Sequence, residues 1–87
     1  MEIRERVRVR GIDVTTSIVP ENTAMDTLGC FDVRSGQIML AQIPCRQLME
    51  KNWWHEVWHA LFPDWDETTV DRVNDGFYAF ISDNDLM

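Results

Sequence analysis

Several features that would settle the class of this chain early are missing from it. There is no C-x-x-C pair. The two cysteines, Cys30 and Cys45, stand far apart and are expected to be reduced thiols, packed as small hydrophobes in a cytoplasmic protein. No apolar run approaches the roughly 20 residues that cross a bilayer, so no membrane span is expected. Met1 is followed by Glu2-Ile3-Arg4-Glu5-Arg6 without an apolar signal core, so export behind a cleaved leader is not expected either. Internal repeats, low-complexity segments and glycine-rich phosphate loops are all lacking. Cationic charge is scarce: 8 Lys and Arg face 15 Asp and Glu, for a net charge of −7.

That imbalance argues against nucleic acid as a partner, because phosphate binding needs cationic surface. The charge is also unevenly spread. Residues 64–87 hold seven acids (Asp64, Asp66, Glu67, Asp71, Asp75, Asp83 and Asp85) against Arg72 alone, whereas residues 1–10 hold four arginines against two glutamates. An acidic C-terminal face of this kind is suited to docking on basic protein surfaces.

What is present reads as one α+β domain over residues 1–87. A protein of 87 residues buries only about 60–65% of its unfolded surface, so a metal tying two elements together would matter to its stability. Residues 3–10 alternate, with Ile3, Glu5, Val7 and Val9 on one face and Arg4, Arg6, Arg8 and Arg10 on the other, as in a strand with a wet cationic face. A turn at Gly11-Ile12-Asp13 leads to a second strand, Val14 to Val19, completing a hairpin. Pro20 to Thr23 breaks the pattern, and residues 24–27 form a short connection. A second hairpin pairs Leu28–Val33 with Gln37–Gln42 around Arg34-Ser35-Gly36. The expected sheet is therefore a small antiparallel one of two hairpins.

Two helices follow. The first, from about Arg46 to Leu61, carries an apolar stripe of Trp54, Val57, Trp58 and Leu61, with Trp53 outside it as a packing or cleft residue. Phe62-Pro63 ends it. Asp64 and Glu67 fit a capping box for the second helix, which runs to about Ser82 with Val70, Val73, Phe77 and Ile81 as its core face. Gly76 inside that helix suggests close packing against the first, and the tail from Asp83 onward is expected to fray.

The stretch Trp53-Trp54-His55-Glu56-Val57-Trp58-His59 contains H-E-x-x-H and both histidines of the protein. On a helix His55 and His59 lie one turn apart on one face, so both imidazoles can reach a single zinc ion. Glu56 beside them is the general base toward a zinc-activated water rather than a ligand. Two other readings stay open: histidines that merely hydrogen-bond neighbouring carboxylates, and a closed structural site with a fourth protein ligand.

The order hairpin, hairpin, H-E-x-x-H helix and acid-bearing helix resembles a minimal zincin metallopeptidase. It is similar to the ImmA/IrrE-like family and to small bacteriophage-encoded metallopeptidases. In such families the third ligand commonly comes from an E-x-x-A-N or E-x-x-A-D pattern on the second helix, matched here by Asp71-Arg72-Val73-Asn74-Asp75. The resemblance implies one zinc on His55, His59 and Asp71, with Asp75 orienting a histidine; Glu67 is expected to serve the helix cap, and whether Asp75 or Glu67 replaces Asp71 as the third ligand stays open. It also implies a peptide or protein substrate lying along an edge strand, for which Gln37–Gln42 is the expected strand. Tyr78 is a further polar group, as an oxyanion donor or a packed ring. A second class of function is a non-catalytic, zinc-stabilised interaction module, such as a phage-encoded inhibitor of a host protein.

Overall fold

The computed structural model describes residues 3–20 and 28–86. Four strands and two helices follow in the order β1 (Arg6–Val9), β2 (Ile12–Pro20), β3 (Gly29–Asp32), β4 (Gln37–Gln42), α1 (Arg46–Leu61) and α2 (Glu67–Asp83). The α+β class, the two hairpins and the two helices are as the sequence pattern predicts. The expected connection at residues 24–27, and residues 21–23 of the break, lie outside the described residues.

One feature of the sheet differs. Its order is β1-β2-β4-β3, and the hairpins meet through a parallel β2–β4 pair running from Thr15↔Gln37 to Pro20↔Gln42, so the sheet is mixed. Strand β4 is consequently interior, paired with β2 on one side and β3 on the other. It cannot offer a free edge to a peptide, contrary to the role expected for Gln37–Gln42. The edge beside the helices is β3.

The first turn is tighter than the glycine alone indicated. Val9 pairs with Ile12, leaving Arg10-Gly11 as a two-residue loop with φ of 53° and 84°. Positive φ at both positions is the geometry that matches strand twist in such hairpins. Arg10 thereby leaves the arginine row, and its Nη1 donates to the Leu61 carbonyl at 3.1 Å. A cation on the last carbonyls of α1 is the favourable end of the helix dipole. Arg4, Arg6 and Arg8 are exposed as expected.

The core lies between the sheet and α1. Val9, Val14, Ile38 and Leu40 from the sheet pack against Trp53 and Val57. Trp53, expected beside the apolar stripe, is only 3% exposed, and its indole N–H donates to Thr16 Oγ1 at 2.8 Å. The sheet-facing stripe is Met49, Trp53 and Val57, while Trp54 and Trp58 turn toward α2 and meet the Phe77 ring at centroid distances of 4.9 and 5.6 Å. Helix α1 is apolar on two sides because it has two neighbours.

Helix α2 starts later than its composition suggested. Its N-cap is Asp66, not Asp64, with the Asp66 carboxylate accepting from the Thr69 N–H at 2.8 Å. Glu67 is therefore the first helical residue and free of capping duty. The core face also differs: Asn74 and Tyr78 are buried with Val70 and Ile81, while Val73 and Phe77 are half-buried. Gly76 faces open space, with nothing within 4 Å of where a Cβ would stand, so it marks no close packing. Just past α2 the Leu86 N–H donates to the Ile81 carbonyl at 2.8 Å while Asp85 adopts φ of 52°. That is a left-handed helix stop rather than a frayed tail; Met87 lies outside the described residues. Both cysteines are exposed and free, not buried.

Candidate metal centre

The helix connection explains the site. Helix α1 ends at Leu61 and α2 begins at Glu67, with the intervening turn closed by Trp65 N–H to the Phe62 carbonyl at 3.0 Å. Phe62 and Trp65 stack at 4.1 Å with an interplanar angle of 13°. So short a link forces the helices into an antiparallel pair in which the first turn of α2 lies beside the last turn of α1. Each further turn along α2 then meets one turn earlier on α1.

The side chains follow that ladder. Glu67 Oε1 is 2.6 Å from His59 Nε2, and its Oε2 is 3.2 Å from His55 Nε2. One turn on, Asp71 Oδ1 is 3.2 Å from His55 Nδ1. One turn further, Asp75 Oδ1 pairs with Lys51 Nζ at 2.8 Å. The two Nε2 atoms are themselves 3.2 Å apart. The acid where the nitrogens converge is thus Glu67. Asp71, the ligand implied by the family pattern, sits behind His55 on its other nitrogen, and Asp75 touches neither histidine.

Two arguments say that this group fits a cation. Ligand atoms of His55, His59 and Glu67 all lie within 4.8 Å of one another, and a tetrahedral zinc with bonds of about 2.0–2.1 Å holds its donor atoms roughly 3.3 Å apart. The second argument concerns protons. A carboxylate oxygen only accepts and a neutral imidazole carries one N–H, yet His55 meets a carboxylate at each ring nitrogen, Asp71 Oδ1 at Nδ1 and Glu67 Oε2 at Nε2, both at 3.2 Å. While the ring is neutral, one of these two contacts is therefore an acceptor facing an acceptor. The contact becomes favourable only when a cation, either a second imidazole proton or a metal, lies between them.

Glu56 lies beside this group, near β3, and lines the same cleft. Its side chain is buried, at 7% exposure, and a Cβ at Gly29 would stand 3.5 Å from Glu56 Oε2. The tighter neighbour at Gly29 is Leu40, whose Cδ2 would lie 3.2 Å from that Cβ, so the absent side chain relieves packing within the sheet rather than against the carboxylate. Burial pushes the Glu56 carboxyl above its ordinary range; charged His55 and His59 oppose the rise and the neighbouring Glu67 carboxylate adds to it. A cleft of about 700 Å³ opens in front of the group, lined by Glu56, both histidines, Glu67, Asp71 and the β3 side of the sheet.

Two contributors were not foreseen from the sequence. Asn74 is 3% exposed; its Nδ2 donates to the Lys51 carbonyl at 2.9 Å and its Oδ1 accepts from Trp58 Nε1 at 3.2 Å. A buried amide satisfied from both ends fixes how far α2 slides along α1, and hence which acids meet which histidines. Gly29 is the other. Tyr78 packs away from the histidines in a second groove with Lys51, Asp75 and Ser82, and burial pushes its phenol up to about 12, with Glu50 adding to the rise. It is no oxyanion donor for this centre.

No family model, curated protein or solved structure matches the protein.

Proposed function

We propose that this protein is a zinc-dependent hydrolase of peptide bonds, with His55, His59 and Glu67 holding one metal ion and Glu56 acting as the base. The observation that carries the reading is the convergence of three donor groups on one point at the mouth of a cleft that Glu56 also lines. Among the described residues no fourth protein donor joins that cluster, which favours an open catalytic position over a closed structural one.

When bound, zinc supplies Lewis acidity, which polarises a carbonyl and makes water acidic near neutral pH. The other roles belong to the protein. Asp71, whose Oδ1 is 3.2 Å from His55 Nδ1, would accept a hydrogen bond from that nitrogen and so leave Nε2 for the metal. Glu56 takes a proton at its carboxylate and returns it to the departing amine. Gly29 and β3 border the space beside Glu56.

The test is metal analysis together with Glu56→Gln. The wild-type protein should bind one zinc per molecule and cleave peptides. Glu56→Gln should keep both zinc and fold while losing turnover by about 100-fold or more. A variant that loses zinc in proportion to activity would make Glu56 a ligand. A zinc-bound wild type without turnover, but with undiminished biological effect in Glu56→Gln, would make the protein an interaction module stapled by its metal.

A further inference from the structure

The cleft in front of the metal centre has the volume of an ordinary ligand site, and its two walls differ in chemistry. One wall is helical and carries Glu56, Glu67, Asp71 and the two imidazoles. The other is apolar, made by Leu28, Phe31 and Val33 on and around β3, with Pro63 closing the end at the helix connection. Leu28 and Val33 are 44% and 74% exposed. They flank the half-buried Phe31, so an apolar strip runs beside the carboxylates.

No lysine or arginine is among the described residues lining the cleft. A site that grips the C-terminus of a peptide needs a cation for the terminal carboxylate, commonly an arginine in a bidentate pair. Here that carboxylate would instead meet Glu56, Glu67 and Asp71, three carboxylates against the two positive charges of one zinc, so acidic side chains would meet the same net repulsion. An apolar side chain gains by covering Leu28 and Val33, which water otherwise wets.

We propose that the cleft accepts an internal, extended peptide segment with apolar side chains next to the scissile bond, and rejects acidic residues and free peptide C-termini. Val33 and Leu28 set this preference. The inference rests on the peptidase reading above and names its substrate class.

The experiment uses the zinc-loaded full-length protein and internally quenched peptides of one length, with Leu-Phe, Leu-Lys or Asp-Glu at the centre, each with a free and an amidated C-terminus. The expected result is internal cleavage of the Leu-Phe peptide, indifferent to amidation, with the Asp-Glu peptide at least about 10-fold slower. Val33→Asp should lower kcat/KM on the Leu-Phe peptide by about 10-fold, near the lower end for one apolar contact, and narrow its lead over the Leu-Lys peptide. Zinc affinity should not change. Equal rates on acidic and apolar peptides, stepwise release from the C-terminus, or an indifferent Val33→Asp would each overturn the proposal.

Should no peptide be cleaved, binding of the same set to zinc-loaded Glu56→Gln separates the two readings. Preferential binding of Leu-Phe would support the cleft's preference while sinking the hydrolase, and equal or absent binding would sink the preference too.

Discussion

Replacing Glu67 tests the metal centre most directly, because Glu67 and Asp71 offer opposite predictions on one helix. Glu67 lies where the two Nε2 atoms converge, at 2.6 and 3.2 Å from them, while Asp71 reaches only the far nitrogen of His55. Apparent zinc binding at small four-ligand sites is worth about 10–16 kcal/mol, so one ligand of four accounts for roughly 3 kcal/mol, or about 100-fold in affinity. Deleting an acid behind a histidine costs typically 10–100-fold. Glu67→Ala should therefore weaken zinc by about 100-fold or more, Asp71→Ala by less, and Asp75→Ala hardly at all, since its partner is Lys51. Glu67 is exposed and Asp66 holds the cap, so the metal-free Glu67→Ala protein should melt close to the metal-free wild type. Competition with a chromophoric chelator at neutral pH gives the affinities, and thermal melts with and without chelator give the stability. If Asp71→Ala loses more zinc than Glu67→Ala, the ligand assignment is wrong. If Glu67→Ala loses as much stability without metal as with it, Glu67 is structural.

Two further perturbations probe the scaffold. Gly76→Ala should raise stability by about 0.4–1 kcal/mol, because the site is helical, exposed and open around the added methyl. On a domain this size that is a rise in Tm of roughly 2–8 °C, and a fall would show that α2 is packed there after all. Acidification should act in two stages. Protons compete with zinc for the imidazoles as pH falls toward the histidine reference of about 6.5 and below, so metal is released first. The Thr69 N–H holds the Asp66 carboxyl below its ordinary value of 3.8. A depressed carboxyl contributes stability that is complete above that value and lost as pH falls through the lower folded one. The metal-free protein should therefore lose its α2 cap only below about pH 4, a loss absent in Asp66→Ala. Zinc held firmly at pH 4, or the same acid limb in Asp66→Ala, would contradict this order.

The elements and the histidine pair were legible because each rests on a local rule. Alternation marks β1, a glycine at positive φ marks the β3–β4 turn (φ 64° at Gly36), and H-E-x-x-H needs only one helix. Which acid completes the candidate site is a matter of pairing between helices, and there the family-like pattern and helix geometry point to different residues. The pattern selects Asp71 by its neighbours in sequence. Geometry selects by distance from the connection: with α1 ending at Leu61 and α2 starting at Glu67, residues equally far from the turn on either side must face each other. Glu67 then meets His59, Asp71 meets His55 and Asp75 meets Lys51. That ladder depends on the N-cap at Asp66; an N-cap at Asp64 gives Glu67 to the capping box and leaves it out of the candidate metal site. The parallel β2–β4 junction had no local signal at all, because register between separate hairpins is set by the shared face they turn to α1. That same junction moves the free edge from β4 to β3, which puts Gly29 near Glu56 and the apolar strip beside the candidate metal site. A change at the β2–β4 pair would therefore disturb the cleft without touching any residue that lines it.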